Sequence, residues 1–391
     1  MASASELLPA LPWLVPFASL FRLAGNRPNL SDVTPAAGTL VSVIVPARNE
    51  SATIETVVRS VLASTYEPLE LLVLDDRSTD DTAALVERLA ADDARLRLVR
   101  GAPLPEGWYG KSWACLQGYR AARGDLLLFT DADTRHEPEL LARAVGALRT
   151  ERADLVTVAP RQRCETFWER LVMPQIWLLL GVRYHPSRVN RARRERDVIA
   201  NGQFILVPRE SYEATGTHEV VRHEVAEDLA LAQAFHRAGR KIHFAFAERL
   251  METRMYHSLP HLVEGWSKNV YLGGRRSFPD QPVLRALVPV MLIAAFLFWL
   301  VPPAVLAVTG WTAGPGRAAA AATALSALFW MLISYGMRIP AIYGLGYPLG
   351  ALVALYIALR SIWRGKRRVE WRGRVYQEVG GSGPEDASSR A

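Results

Sequence analysis

Aspartates close two apolar runs of this chain. Asp75 and Asp76 follow LELLVL (Leu69–Leu74), and Asp131 and Asp133 follow Asp125–Thr130 in the stretch LLLFTDADT. In an α/β sheet, side chains at the carboxyl ends of strands face the ligand crevice, and an Asp-x-Asp pair there can hold a divalent cation against a diphosphate. That chemistry suits a nucleotide-sugar substrate. A second acidic pair, Glu227 and Asp228, opens the segment AEDLALA, where a carboxylate can take the proton of an acceptor hydroxyl. Lys111, in the glycine-flanked turn GWYGKSWA, can set a point charge against a diphosphate, although a lone loop lysine is often only solvated. Taken singly, each signal has an ordinary counterpart: Glu227–Asp228 ahead of Leu229 and Leu231 is also a common first-turn helix pair. Its placement directly after LLLFT is what raises the Asp-x-Asp above chance.

The elements that must position these groups alternate. Val41–Val45 (VSVIV) reads as a buried parallel strand stopped by Pro46. Next comes a helix capped by Ser51, with Ile54, Val57, Val58, Val61 and Leu62 at helical spacing. Leu69–Leu74 is the second strand. It leads to a helix beginning near Ser78–Thr82, with Leu85, Val86 and Leu89 on one face. Arg95–Val99 is a third strand, Ser112–Ala122 a third helix closed by Gly124, and Asp125–Thr130 the strand that delivers Asp131 and Asp133. Such alternation predicts right-handed βαβ units and a doubly wound, mostly parallel α/β sheet. Both acidic doublets then fall on its ligand-binding edge.

Composition divides the 391 residues unevenly. Residues 40–277 read as a charged globular domain, preceded by an apolar anchor or linker over 1–39, whereas 286–359 holds only Arg317 and Arg338 as charged residues. Three candidate membrane helices follow one another there: Ala286–Val308, Ala318–Gly336 and Ile339–Leu359. Leu7–Phe21 is apolar but short and carries three prolines, so it reads as an interfacial or poorly spanning anchor. It lacks the basic leader and small-residue cleavage site of a signal peptide. Phe167–Val182 is aromatic-rich and interrupted by Glu169, Arg170 and Pro174. It reads as an interfacial helix near 165–184, or else as an ordinary buried one.

The formal charge of +7 gathers largely in Arg183–Arg196 and Arg360–Arg374, both beside apolar segments. Anionic lipid headgroups suit them better than nucleic acid, with a solvated loop as the alternative for the first cluster. Cys115 and Cys164 are the only cysteines and have no ligand spacing around them. The sequence thus predicts neither a disulfide framework nor a zinc site. By the positive-inside rule the domain and the basic tail both face the cytoplasm, which requires an even number of crossings between them. Three full spans break that parity. Pro302–Pro303 and the run Pro340, Gly344, Gly346, Pro348, Gly350 mark places where a helix can bend or re-enter. After Gln377 the composition is that of a disordered tail, so 360–391 reads as basic and then disordered.

VSVIVPARNE, VLDDRSTDDT, TDADT and AEDLALA occur in the order seen in inverting, GT-A-fold glycosyltransferases of family 2, and the resemblance covers roughly Leu40 to Gly274. Through GWYGKSWA, NGQFILVPRESYEA and METRMYHSLPHLVEGWSKN the chain is most similar to membrane-bound carotenoid- and hopanoid-type lipid glycosyltransferases. The resemblance implies that Pro46, Ala47, Arg48, Glu50 and Asp76 line the nucleotide pocket, joined by Lys111 and Asp131. It further implies that Asp131 and Asp133 hold Mg²⁺ or Mn²⁺ and that Asp228 is the general base. Arg254, Trp266 and Lys268, with Glu227, become acceptor-side candidates. Arg254, Trp266 and Lys268 each serve equally well as interface anchors, and His257 is a candidate further metal ligand, although a lone histidine is more often structural. Where processive members carry Gln-x-x-Arg-Trp, this chain has Gly265-Trp266-Ser267-Lys268-Asn269. That departure favours a single transfer over polymer extension.

The expectation is therefore a multi-pass protein of the cell (inner) membrane, its catalytic domain cytoplasmic. It would move one sugar from a nucleotide-diphosphate donor to an isoprenoid-type lipid, with no nucleic-acid partner. A sugar nucleotidyltransferase is the alternative enzyme class, but PARNE stands where its glycine-rich, basic signature belongs. An idle scaffold of the same fold is the third reading, against which the intact Asp76, Asp131, Asp133 and Asp228 argue.

Overall fold

A computed structural model of the chain describes residues 4–25, 27–184, 186–312, 314–365, 368–371 and 374–377. The segment read as disordered, from 378 on, lies outside the described residues. Two compact units result, each assembled from separated stretches. The globular unit takes Arg27–Arg163 and Pro186–Met255, with the described residues beyond 365. The apolar unit takes the N-terminal segment, Cys164–His185 and Tyr256–Gly365. Two parts of the stretch 40–277 thus belong with the apolar helices.

Up to residue 255 the strands of the globular unit are β1 (Val41–Ala47), β2 (Leu69–Asp75), β3 (Leu96–Arg100), β4 (Leu126–Thr130), β5 (Thr134–His136), β6 (Leu155–Ala159), β7 (Arg161–Gln162), β8 (Phe204–Pro208), β9 (Ile242–Phe246) and β10 (Met251–Thr253), and Arg368–Trp371 pairs with Arg374–Gln377 as a separate antiparallel hairpin. The main sheet has the order β3-β2-β1-β4-β8-β6-β9, and β8 alone runs against its neighbours. A smaller sheet, β5-β10-β7, packs three short strands. Every residue of β1, β2 and β4 is buried, as expected of strands covered by helices on both faces. Alternation decides which face each residue serves. Val41, Val43 and Val45 join one core with Leu71, Val73 and Leu128, whereas Ile44 joins a second with Leu127, Phe129 and Ile205. The Ile54–Leu62 helix adds Ile54, Val57, Val58 and Val61 to the first core.

Pro46 does not stop β1, which continues to Ala47 in register with Asp75. Pairing with β4 ends at Ile44, so by Pro46 the strand has an open side where a missing N–H costs nothing. Ser51 is not the cap of the first helix either. The helix starts at Ile54, after a turn in which the Ser51 N–H donates to Asp80 Oδ2 at 3.1 Å. At the opposite edge of the sheet, the Glu70 carboxylate accepts bonds from Ser42 Oγ (2.5 Å), the Arg123 N–H (2.6 Å) and Arg123 Nε (2.8 Å). Ser42 Oγ in turn accepts the Gly124 N–H at 2.7 Å. This ties the first residues of β1 and β2 to the turn before β4.

Among the described residues, the apolar unit contains three helices long and apolar enough to cross a membrane: Pro282–Thr309, Gly314–Gly336 and Ala341–Arg364, the last opening with a 3-10 turn over Ala341–Gly346. The Phe167–Arg183 and Leu259–Arg276 helices accompany them. Glu169, an interruption when only hydropathy is read, is the N3 acid of a capping box. Its Oε2 accepts the Thr166 N–H at 2.5 Å while Thr166 Oγ1 accepts the Glu169 N–H at 3.3 Å.

Candidate functional site

The parallel strands deliver their carboxyl ends to one edge of the main sheet, and β8, running the other way, brings its first residues to that same edge. Thr130 at the end of β4 pairs with Phe204 at the start of β8. The turn Asn201-Gly202-Gln203 therefore lies beside Asp131. Helix beginnings arrive there too, since Lys111 is in the first turn of Gly110–Ala121 and Glu227 and Asp228 open Glu227–Arg237.

Four of the sequence candidates meet in one cluster. Lys111 Nζ lies 2.7 Å from Asp131 Oδ1 and 2.9 Å from Glu227 Oε1. Asp228 accepts two backbone bonds, from the Gly202 N–H to Oδ2 at 3.0 Å and from the Leu229 N–H to Oδ1 at 2.7 Å. Gly202 is a site residue that pattern reading passed over. A Cβ there would come within 2.9 Å of Lys111 Nζ and 3.3 Å of Asp228 Oδ2, so only glycine fits without displacement. Its signal in the sequence is the NGQF segment itself, noted there only as part of a resemblance.

Within the cluster one lysine faces three carboxylates, Asp131, Glu227 and Asp228. Burial pushes the Asp228 carboxyl up, the neighbouring Glu227 charge adds to this, and Lys111 with the two backbone N–H groups pulls back. The result is a pKa of about 6. For Glu227 burial also acts upward, but the Lys111 charge and hydrogen bond outweigh it and hold the group below its usual range. Burial works to lower Lys111, and the charges of Asp131, Glu227 and Asp228 override it and hold the lysine well above its usual value. Cys115, one turn along the same helix, is buried and its thiol pushed up, so it is not a nucleophile at neutral pH.

The Asp131-Ala132-Asp133 turn is held by hydroxyls at both ends. Thr134 Oγ1 donates to the Asp131 carbonyl at 2.8 Å, and Thr253 Oγ1 to the Asp133 carbonyl at 3.2 Å. Thr130 Oγ1 donates to the Gln203 carbonyl at 2.8 Å and lies 3.1 Å from His136 Nε2, whose pKa burial lowers to about 3. A neutral imidazole among hydroxyls is a fixed strut for this turn. Among the described residues no three His, Cys, Asp or Glu side chains gather as a metal cage. The hard carboxylate oxygens of Asp131 and Asp133 suit a cation that takes one or two protein ligands and completes its shell from phosphate and water.

On the neighbouring strands, Pro46 and Ala47 end β1, and Arg48 Nη1 donates to the carbonyls of Asp76 (2.8 Å) and Arg77 (3.1 Å). The Asp76 N–H donates to the Ala47 carbonyl at 2.8 Å. The Glu50 N–H donates to Thr82 Oγ1 at 2.8 Å, and Glu50 Oε2 accepts Thr53 Oγ1 at 3.2 Å. Left-handed backbone at Asn49 and Arg77 closes the two loops on each other. The predicted nucleotide-side residues thus share the β1 and β2 ends. Arg254 directly follows β10 in the globular unit. Trp266 and Lys268 belong to the apolar unit, where Trp266 is buried, its Nε1 3.3 Å from Met173 Sδ and its ring edge-on to Trp177. His257 is in that unit as well, its ring stacked 6.5 Å from His261.

Residues 42–216 match the family model described as Glycosyl transferase family 2. Among curated relatives, a 4,4'-diaponeurosporenoate glycosyltransferase of Staphylococcus haemolyticus is 25% identical over 260 residues, covering 66% of this chain and 68% of the relative. One of the same name from Staphylococcus aureus is 27% identical over 273 residues, covering 66% of this chain and 65% of the relative. Among solved structures, the mannosyltransferase PcManGT of Pyrobaculum calidifontis, in complex with GDP-Man and Mn²⁺, superposes with a TM-score of 0.54 at 20% identity, over 93% of this chain and 97% of that one. The sheet is of the GT-A type.

Proposed function

We propose that this protein is a membrane-bound inverting glycosyltransferase that moves a single sugar from a nucleotide-diphosphate donor to a lipid acceptor of isoprenoid type. One observation carries the reading: the Asp131 turn, Lys111 and the Glu227–Asp228 pair converge at the carboxyl edge of a GT-A sheet. The named acceptor of the curated relatives and the apolar helices of this chain support the lipid class. The globular unit faces the cytoplasm of a cell membrane in this reading, as the basic segments ask.

Asp228 acts as the base. Its carboxylate is oriented by Gly202 and Leu229, and a pKa of about 6 leaves it ionised at neutral pH yet basic enough to take a hydroxyl proton. Lys111 keeps Asp131 and Glu227 in place and brings positive charge to the side where the diphosphate departs. Arg48 and the β1 and β2 loops form the nucleotide side, with Glu50 and Asp76. Asp131 and Asp133 would hold Mg²⁺ or Mn²⁺, which offsets the charge developing on the leaving diphosphate; the related PcManGT structure contains Mn²⁺. Arg254, Trp266 and Lys268 are assigned to the acceptor side, Trp266 through its packing and not as an exposed stacking platform.

The test incubates membranes containing the protein with labelled nucleotide sugars and analyses the lipid extract. A labelled lipid bearing one sugar is the expected product. Label in soluble sugar phosphate alone, or in a polymer, refutes the reading.

A further inference from the structure

Hydropathy selects Pro282–Thr309, Gly314–Gly336 and Ala341–Arg364 as spans and leaves Leu8–Leu20 too short to be one. Packing within the apolar unit selects a different set. We propose that the N-terminal segment crosses the bilayer together with Pro282–Thr309 and Gly314–Gly336, whereas Tyr347–Arg364 re-enters from one face and returns to it without crossing.

The N-terminal segment runs alongside Gly314–Gly336 in the same direction. Glu6 Oε2 pairs with Arg317 Nη1 at 2.7 Å, Leu7, Leu11 and Leu14 share an apolar groove with Ala321, Leu325 and Leu328, and Phe17 meets the Phe329 ring edge-on at 5.5 Å. Both series of numbers climb together. Trp13 fixes the segment from the other side, stacking on Phe298 at 4.8 Å and donating from Nε1 to its carbonyl at 3.1 Å. Length is not an obstacle, because Leu8–Leu14 is a 3-10 helix with Pro12 inside it. A 3-10 helix rises about 2 Å per residue against about 1.5 Å for the α-helix that follows, so Leu8–Ala24 reaches about 30 Å, the thickness of the hydrocarbon core.

Tyr347–Arg364 behaves differently. The chain turns at Arg338, where φ is 59°, and doubles back on the helix it has just left. Gly344 then lies so close to the Trp330 and Met331 backbone that no Cβ fits. Tyr347 and Ala351 join a cluster with Trp299, Phe329 and Trp330. At the other end, Arg360 and Arg364 pair with Glu264 at 2.8 and 2.6 Å, and the Tyr271 N–H donates to Ser361 Oγ at 3.0 Å. Gly274, one turn beyond Tyr271, is against Val288 in the second turn of Pro282–Thr309. Tyr347–Arg364 therefore runs opposite to Pro282–Thr309 and ends beside its beginning. A helix that crossed would end beside the Thr309–Gly316 turn, next to the Glu6–Arg317 pair.

One flank of the helix still faces lipid. Leu345, Leu349, Leu352, Tyr356 and Leu359 are all exposed at alternating three- and four-residue spacing, opposite the buried Gly350, Ala354, Ile357 and Ala358, and Trp363 follows them at the helix end beside Arg364, where the chain leaves the lipid. High hydropathy follows from that stripe and says nothing about whether the helix reaches the far side. With two crossings between the globular unit and residue 365, the basic tail returns to the face from which Pro282 departs, and the parity conflict disappears.

Single cysteines placed in a full-length Cys115→Ala, Cys164→Ala background test this with a membrane-impermeant maleimide, applied to sealed vesicles of both orientations. The expected result is that Ala4→Cys, Trp311→Cys and Thr312→Cys react from one face, and that Asp92→Cys, Asp280→Cys and Trp363→Cys react from the other. If Trp363→Cys labels with Trp311→Cys and Thr312→Cys, the last helix crosses and the proposal fails. It fails equally if Ala4→Cys labels with Asp92→Cys. Two positions on each loop face guard against the loss of any single variant.

Discussion

The acid limb of the pH profile offers the sharpest check on the base assignment. With a pKa of about 6, Asp228 is about nine-tenths ionised at pH 7 and about one-tenth ionised at pH 5. If its carboxylate must be free to take the acceptor proton, the rate to an alcohol acceptor falls about tenfold across that interval. The sign follows from the causes: burial and the Glu227 charge favour the protonated form, so acid removes the active species. Glu227→Gln takes away one of those two causes and moves the limb to lower pH. Asp228→Asn removes the limb together with the activity, by about 10²–10⁴-fold, the usual weight of a general base. An acceptor that is already a carboxylate or phosphate has no proton to lose at neutral pH and depends far less on Asp228. Initial rates with donor and acceptor both well below their KM, whose pH dependence reports the groups of the free enzyme, are the assay. A rate to an alcohol that stays flat from pH 5 to pH 7, or an Asp228→Asn variant as fast as the parent, refutes the reasoning.

Gly202→Ala is expected to slow transfer by about 10–100-fold while nucleotide binding persists, because the new methyl displaces Asp228 or Lys111 by a fraction of an ångström; equilibrium binding and turnover measured on the same preparation check it. Excess chelator is expected to stop transfer and added Mn²⁺ or Mg²⁺ to restore it, with Asp133→Asn beyond rescue; full activity in chelator would remove the cation from the reaction. Glu70→Ala is expected to destabilise the protein by about 2–3 kcal/mol, since Ser42 Oγ and the Arg123 N–H lose their shared acceptor. Arg123 and the Ser42 and Arg123 hydrogen bonds hold the Glu70 pKa below its usual value against the effect of burial. Its contribution is thus complete above about pH 4.5 and fades as pH falls through the lowered value, which thermal melts across that range would follow.

Much of the site can be read from the chain because strands announce their own ends. LELLVL and LLLFT are almost wholly apolar, so the first carboxylates after them must lie at the carboxyl edge of the sheet, and Asp76, Asp131 and Asp133 do. What could not be read is which distant groups those carboxylates meet. Lys111 in isolation is a loop lysine, and its meaning comes from Asp131 and Glu227, which only the fold brings within 3 Å. Gly202 was invisible for a related reason, since a glycine required for lack of space looks the same in sequence as one in an ordinary turn. Hydropathy finds the three long apolar helices, but it counts residues and not the path they take. It does not register the length that a 3-10 stretch gives Leu8–Ala24, nor that Tyr347–Arg364 ends beside the start of Pro282–Thr309, the two observations on which the proposed crossings rest.

The charge pattern of the cluster bears on more than the base. Asp131, Glu227 and Asp228 surround Lys111, and Asp133 lies on the same turn as Asp131. A nucleotide sugar approaching this edge carries two negative charges of its own on the diphosphate. In a partly desolvated pocket, like charges a few ångströms apart repel by several kcal/mol unless a cation stands between them. The arrangement therefore calls for the divalent ion at the binding step as well as in the transfer: donor and cation should bind together, each weakly without the other. Replacing Glu227 by Gln removes one of these negative charges and should relax that mutual dependence. A titration of nucleotide binding with and without Mn²⁺, in the parent and in Glu227→Gln, separates this from a cation needed only for chemistry, in which case nucleotide affinity would be indifferent to metal in both proteins.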